Sequence, residues 1–394
     1  MCPRFESRWY HFERLRECSL FLWTFVSVMD ATNTFFPQPW WSALDGVKPD
    51  RVAWIHEETL SPSLVAETRP LMPQSCPLVE LPIQGGEQLK QWEAIQELLL
   101  QFQAWGLTRR SVVVTTGGGA LSDAVGFAAA IWKRGMNVIH IPTTPLAAVD
   151  AAWGGKTGIN WGGHKNQLGT FSEPLAVHLD ARWMSTLPLR EFRAGLAEVV
   201  KHALLDQEAY RVLRQQTPHW PPDLTKDHEQ WSAFFFQSAS VKRGIVSIDP
   251  EEQGQRSLLN LGHTVGHAAE ALAAKDNTPW LHGEAVALGL HFALFESEAL
   301  ALSPAPSTEG AESDAAWIAA WLKAHVPLPT DWTFSASDLW RHMIHDKKNV
   351  GDEVRDVAWR GVGHTVWPAS WKQDAFEATW RAFMRSYNTQ EPSD

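Results

Sequence analysis

The sequence predicts a two-part fold: an α/β N-terminal domain over residues 31–187, built on a mostly parallel sheet, and a mainly α-helical C-terminal domain over residues 188–394. Three observations predict it. Residues 111–116 (SVVVTT) form a short β-branched apolar run, a glycine turn follows at 117–119, and the small residues of 120–130 then take helical spacing. Further strand-like runs alternate with an amphipathic helical pattern on the N-terminal side, the order of a parallel sheet with crossover helices. From Pro188 onward the period becomes helical, beginning with Leu189–Leu205, and strand signals are sparse.

Composition sets outer limits. With 394 residues the chain can bury a large core, and the usual domain size favours two units. Apolar content of 44% and charged content of 20% belong to a soluble globular protein. A net charge of −11 argues against a nucleic-acid backbone as partner. Cys2, Cys18 and Cys76 lack CxxC spacing and cannot all pair, so no disulfide framework is expected and a reducing, cytoplasmic compartment is. No run reaches the roughly 18–20 apolar residues of a membrane span. Residues 1–30 carry no motif and read as an N-terminal extension; the apolar run 20–29 imitates a secretory signal, but the segment before it is long and carries acids as well as bases.

Residues 51–56 predict a strand after the turn-prone Asp45-Gly46, and 77–83 a second. Leu89, Trp92, Ile95, Leu98, Leu99, Phe102 and Trp105 recur at helical spacing, so 87–105 reads as one amphipathic helix, with Glu87 and Lys90 at its solvated start. The strand, glycine turn and helix of 111–130 place backbone N–H groups and a helix N-terminus at a sheet end, which suits a phosphate or pyrophosphate. Asp123, early in that helix, reads as a macrodipole-favoured cap. The fingerprint GxGxxG is not met, because Ser122 stands where the third glycine belongs; nor is this a Walker loop, since Asp150 lies five before Gly155 in place of glycine. A strand over Asn137–Pro142 ends in Thr143-Thr144, and Lys156 and Lys165-Asn166 then follow in turn-rich sequence that points to anion handling.

In the second half, Glu198 and Lys201 are spaced i, i+3, which usually means a surface ion pair. His263 and His267 stand one helical turn apart, and His282-Gly283-Glu284 follows after a loop. Two imidazoles at i, i+4 can converge on one point, and a third histidine with a carboxylate would complete a metal site with an open position. The zincin pattern HExxH is absent, as Thr264 follows His263.

The segments GGGALSD, PTTPLAAVDAAWGGKTGIN, GHKNQLG, TLPLREFRAGLAEVVKH, RSLLNLGHTVGH, LHGEAVALG and HDKKN occur in an order that resembles the 3-dehydroquinate synthase family, over about residues 50–365. The resemblance implies a dehydroquinate synthase-like fold: an NAD-binding α/β domain (31–187), a helical metal- and substrate-binding domain (188–394), a cleft between them, and a homodimer. It implies a divalent metal, normally zinc with cobalt as the alternative, on Glu198, His263 and His282. NAD would be held by Gly86, Glu87, Lys90, Gly118, Gly119, Ala120, Leu121, Ser122, Asp123, Thr143, Thr144, Asp150 and Thr186, with Lys156 and Lys165 also near it. Substrate would meet Lys156, Lys165, Asn166, Lys201, Lys242, Arg256, Asn260, His267 and one of Lys347 or Lys348. Arg134 matches an arginine that reaches the neighbouring subunit's substrate phosphate. The implied partner is a small sugar phosphate, with neither nucleic acid nor membrane. The implied reaction converts 3-deoxy-D-arabino-heptulosonate 7-phosphate to 3-dehydroquinate and phosphate by transient oxidation, phosphate elimination, re-reduction and aldol closure, in the shikimate route to aromatic amino acids.

Departures from the family pattern are local. Ile55-His56-Glu57-Glu58 replaces a step that usually carries an aspartate for the adenosine ribose, leaving Glu57 and Glu58 as candidate substitutes; Ser122 replaces a glycine and Ala151-Ala152 replace serines. Two alternatives share the architecture. A sister cyclase acting on sedoheptulose 7-phosphate or glucose 6-phosphate tends to alter the asparagine and late lysine pair, kept here as Asn260, Lys347 and Lys348. A metal-dependent polyol dehydrogenase would release NADH.

Overall fold

The computed structural model describes residues 41–72, 76–275, 279–300, 312–330, 332–344, 349 and 353–389. The expected N-terminal extension, Cys2, Cys18, Lys347 and Lys348 lie outside the described residues. In chain order the first half contributes β1 (Val52–Glu57), β2 (Leu78–Ile83), α1 (Trp92–Ala104), β3 (Val112–Gly117), α2 (Gly119–Ile131), β4 (Asn137–Pro142), β5 (Lys156–Trp161), β6 (His164–Phe171) and β7 (Ala176–Val177).

Five of these strands form one parallel sheet in the order β2-β1-β3-β4-β7. Every residue of β3 is buried, as a central parallel strand covered on both faces requires. From β1 the order runs to β2 on one side and to β3 on the other. The carboxyl ends of β1 and β3 therefore flank a topological switch point, where open α/β sheets bind ligands. Glu57 ends one strand and Gly117 the other.

Two expectations for the first half need correction. The helix expected over 87–105 is broken: Glu87–Lys90 forms a 3₁₀ turn, Gln91 is extended, and α1 begins at Trp92. The break lets Leu89 join the core and turns Lys90, which is buried and not solvated, toward Asp123 and Asn166. The turn-rich stretch around Lys156 and Lys165 is a β-hairpin, β5 antiparallel to β6, with Gly162 and Gly163 at positive φ in its turn.

The second half contributes α3 (Leu189–Leu205), α4 (Gln207–Gln216), α5 (His228–Ile248), α6 (His263–Lys275), α7 (His282–Ala299), α8 (Asp314–His325), α9 (Ala336–Met343), the hairpin β8 (Val354–Trp359) and β9 (Thr365–Trp371), and α10 (Gln373–Thr389). Helix α7 is the axis of this half, buried without a break from Gly283 to Leu294 and apolar around most of its circumference. Leu290 and Val286 on α7 share a core with Leu196 and Val200 of α3 and with Val149 and Val177 of the first half. On its other side Phe292 packs with Trp371, Phe376, Trp380 and Phe383. No helix among the described residues is long and apolar enough to cross a membrane.

Backbone contact without side chains between them sets the helix spacing. A Cβ on Gly283 would overlap the Ala194 carbonyl oxygen of α3, and one on Gly289 would overlap the Gly262 carbonyl just before α6. Glycine at both positions lets α3, α6 and α7 meet closely enough for short side chains from all three to reach one point.

Candidate active site

A cavity of about 540 Å³ runs from the carboxyl ends of the sheet to the first turn of α7. Gly86, Gly118, Gly119, Ala120, Thr143, Thr144 and Thr186, each expected at the cofactor, line it, and so does His282. Gly118 precedes α2 without a side-chain cap, leaving first-turn amides to face the cavity. Leu121 and Ser122 lie one turn inside α2, buried, with Ser122 Oγ donating to the Gly118 carbonyl at 3.3 Å.

The strand register separates the two candidate acids at the end of β1. Glu57 lines the cavity and its Oε1 accepts from Gly118 N–H at 2.8 Å, whereas Glu58 is exposed outside it. Burial lifts the Glu57 carboxyl above its ordinary value; the Gly118 N–H opposes this and the Glu191 charge adds to it. His56 is directed elsewhere, its Nε2 lying 3.1 Å from Glu80.

Beside the cavity a polar junction ties the sheet to the β5–β6 hairpin. Lys90 Nζ donates to Asp123 Oδ2 at 2.6 Å and to Asn166 Oδ1 at 2.5 Å. Asp123 is thus an ion-pair partner, and not simply a cap; burial raises its carboxyl while Lys90 pulls it down. Glu87 Oε1 accepts from Asn160 Nδ2 at 2.8 Å, and Asn160 Oδ1 accepts from Asn166 N–H at 3.0 Å.

The second focus is Glu198 on α3, whose side chain has no exposed area. His263 Nε2 lies 3.3 Å from its Oε1 and His282 Nε2 3.5 Å from the same oxygen. One ligand atom from each residue falls within 4.8 Å of the others. Neither Glu198 oxygen receives a well-aligned hydrogen bond, although Lys201 Nζ sits against Oε2. A buried carboxylate left with open lone pairs and faced by two Nε2 atoms fits a divalent cation. His263 Nδ1 is 3.1 Å from the Leu261 carbonyl, so that ring carries its proton on Nδ1 and offers Nε2. His267 sits on the exposed side, its ring 5.3 Å from that of His263 and 5.9 Å from that of His282.

Glu198 and Lys201 are no surface pair. Both are buried, and Lys201 Nζ also lies 3.5 Å from Asp150 Oδ1. Burial alone would lower the Lys201 ammonium, but the Glu198 and Asp150 carboxylates outweigh it and hold it above its ordinary value. Against the same penalty, Lys201 and His263 keep Glu198 well below the usual carboxylate range. Lys242 Nζ donates to the Asp150 backbone carbonyl at 2.7 Å and approaches Oδ1 at 3.0 Å.

Lys156 Nζ pairs with Glu252 at 2.5 Å, and Asn260 Nδ2 reaches Glu252 at 3.4 Å. Lys165 Nζ pairs with Glu270 at 2.5 Å. Arg256 is buried and its guanidinium holds the carbonyls of Gly154, at 2.9 Å, and Pro250. Arg134 is exposed at the turn after α2, with φ +70°. Sequence reasoning missed Glu270, which lies 3.1 Å from His282 Nδ1. A signal existed: Glu270 stands seven residues after His263, two turns along one helix face.

Comparison with known proteins gives a consistent set of matches. A profile of the 3-dehydroquinate synthase N-terminal domain matches residues 80–194, and one of the C-terminal domain matches residues 195–349. The 3-dehydroquinate synthase of Pseudomonas aeruginosa (strain UCBPP-PA14) is 36% identical over 337 residues, covering 85% of this chain and 88% of that protein. Among solved structures, 2-deoxy-scyllo-inosose synthase complexed with carbaglucose-6-phosphate, NAD+ and Co2+ aligns with a TM-score of 0.68 at 25% identity, over 86% of this chain and 94% of that one. ValA, a 2-epi-5-epi-valiolone synthase from Streptomyces hygroscopicus subsp. jinggangensis 5008 with NAD+ and Zn2+ bound, shares the fold with a TM-score of 0.68 at 21% identity, over 91% and 98% of the two chains.

Proposed function

Because the chain belongs to the 3-dehydroquinate synthase family, we infer that the cavity between the sheet's carboxyl ends and Glu198, His263 and His282 is where it carries out that family's reaction. The enzyme is a lyase of the shikimate route, converting 3-deoxy-D-arabino-heptulosonate 7-phosphate to 3-dehydroquinate and inorganic phosphate. One observation carries the assignment of the site: a single cavity joins Gly118 and Gly119, at a helix N-terminus, to His282 of the buried ligand cluster. A hydride-accepting nicotinamide and a substrate-binding ion must share such a space.

NAD and a divalent ion are its cofactors, and zinc is the ion we assign, with cobalt a working substitute. Glu198, His263 and His282 would hold the ion; Gly86, Gly118, Gly119, Thr143, Thr144 and Thr186 would hold the dinucleotide, with Glu57 replacing the family's ribose-binding aspartate. When bound, the dinucleotide supplies a reversible hydride acceptor and the ion a Lewis acid for adjacent substrate hydroxyls. The chain's own contribution is charge and position. Lys201, kept cationic by Glu198 and Asp150, places a proton donor beside the ligand cluster. Lys156, Lys165 and Asn166 on the hairpin and Asn260 with His267 opposite them suit a substrate bearing a carboxylate and a phosphate. In solution a homodimer in the cytoplasm, with Arg134 serving the neighbouring site and the domain boundary at 187/188, completes the proposal.

Phosphate release from the heptulosonate phosphate tests it. Release should require NAD, stop with a chelator and return with zinc or cobalt. Release from glucose 6-phosphate or sedoheptulose 7-phosphate instead, or steady NADH accumulation with a polyol, would overturn it.

A further inference from the structure

Glu270 divides its two carboxylate oxygens between two groups that come from different halves of the chain. Oε2 lies 3.1 Å from His282 Nδ1, and Oε1 accepts from Lys165 Nζ at 2.5 Å. The side chain is 17% exposed, so both contacts are partly shielded from solvent. The other nitrogen of His282, Nε2, faces Glu198 Oε1 at 3.5 Å. This imidazole is therefore gripped at both ends. A carboxylate at this site only accepts, which holds a proton on Nδ1 and leaves Nε2, the nitrogen facing Glu198, as the one that would ligate an ion. His263 obtains the same tautomer from a backbone carbonyl, which no side-chain substitution removes. His282 depends on a side chain that also holds a substrate-side lysine.

We propose that Glu270 is a positioning residue that couples ion binding to substrate binding: it orients His282 for the ion and anchors Lys165 of the β5–β6 hairpin beside it. The proposal rests on the metal reading above. An outer carboxylate on a ligating histidine typically contributes about 10- to 100-fold to metal affinity. An exposed lysine pair by itself contributes little to stability, so the Lys165 contact matters for where the ammonium stands and not for the fold.

The test compares the full-length wild type with E270A, E270Q, K165M and E198Q. Cobalt affinity is read by chelator competition, the ligand field by the cobalt d–d spectrum, and the metal-free fold by thermal midpoint in chelator. The expected result is a roughly 10- to 100-fold loss of cobalt affinity in E270A, a smaller loss in E270Q, altered spectra in both, and metal-free midpoints like the wild type's. K165M should keep cobalt affinity and spectrum while raising KM for the heptulosonate phosphate, and E270A should show both defects. Wild-type cobalt affinity and spectrum in both Glu270 variants would overturn the proposal and leave the metal reading standing. A loss matched by an equal fall in the metal-free midpoint of E270Q would assign Glu270 to the fold and also overturn it. Failure of the wild type itself to bind one cobalt per chain, or normal binding by E198Q, would remove the metal reading first.

Discussion

Lys201 neutralises two carboxylates that would otherwise share one small volume, Glu198 with no exposed area and Asp150 with a quarter of its side chain exposed. Removing that cation leaves Glu198 buried without an ammonium partner, and breaking a buried pair from one side costs about 3–5 kcal/mol. Lys201→Met should therefore unfold at markedly lower denaturant when measured in chelator. Retention of the wild-type midpoint would mean that the Lys242 ammonium already serves both acids. Glu57 makes a different prediction. Its Oε1 accepts from Gly118 N–H at the switch point, which holds the carboxylate in the cavity as an acceptor for a ribose hydroxyl of the cofactor. Glu57→Ala removes one charge-assisted acceptor, worth about 1.5–3 kcal/mol, so NAD affinity should fall roughly tenfold or more by fluorescence titration. Unchanged affinity would place the ribose contact elsewhere. These residues also mark where reading the sequence stops: Glu57 and Glu58 are chemically alike, and only the strand register chooses between them.

At the scale of elements, the contact between α3 and α7 positions the ligands. Gly283→Ala places a methyl group on the Ala194 carbonyl, and no side chain there can move aside because the obstacle is backbone. Overpacking of this kind costs about 1–3 kcal/mol. The helices must part, carrying Glu198 and His282 away from each other, so the variant should lose ion affinity out of proportion to its lowered thermal midpoint. A lowered midpoint with normal affinity would locate the strain elsewhere. Elements with strong periodicity were legible: the strand over Asn137–Pro142 and the helix Leu189–Leu205 fall where apolar spacing puts them. The hairpin was not, because β6 reads HKNQLGTF and is largely exposed, with no buried face to produce alternation. The 3₁₀ turn at Glu87–Lys90 escaped for the opposite reason. Its apolar spacing matches a helix, and the contacts that accompany the break, from Lys90 to Asp123 and Asn166, come from residues 33 and 76 positions away. Likewise Glu198 and Lys201 have the spacing of a surface pair, and only the packing of three helices over them makes them interior.

At the scale of the whole molecule, one strongly shifted group lies away from these ligands. Glu296, near the end of α7, is buried, and its carboxyl is pushed up to about 8 from an ordinary 4.5. Burial is the main cause; the charge of Asp356 on β8 adds to it and Arg360 partly opposes it. The folded chain then holds this proton up to about pH 8, while the unfolded chain releases it near 4.5. Between those values the native state binds more protons, so stability falls as pH rises across the window, by up to about 1.4 kcal/mol per pH unit from this one group, and levels off above it. Below the window both states are protonated and the full contribution is present. Glu296→Gln keeps the shape and removes the charge change. Its denaturation midpoint should match the wild type's near pH 4.5 and exceed it increasingly toward pH 8, with the ion-binding cluster untouched. The two proteins are to be compared at each pH in the same chelated state, so that metal release does not enter the difference. A constant offset between them, independent of pH, would show that Glu296 is ionised in the folded chain and that Arg360 outweighs burial.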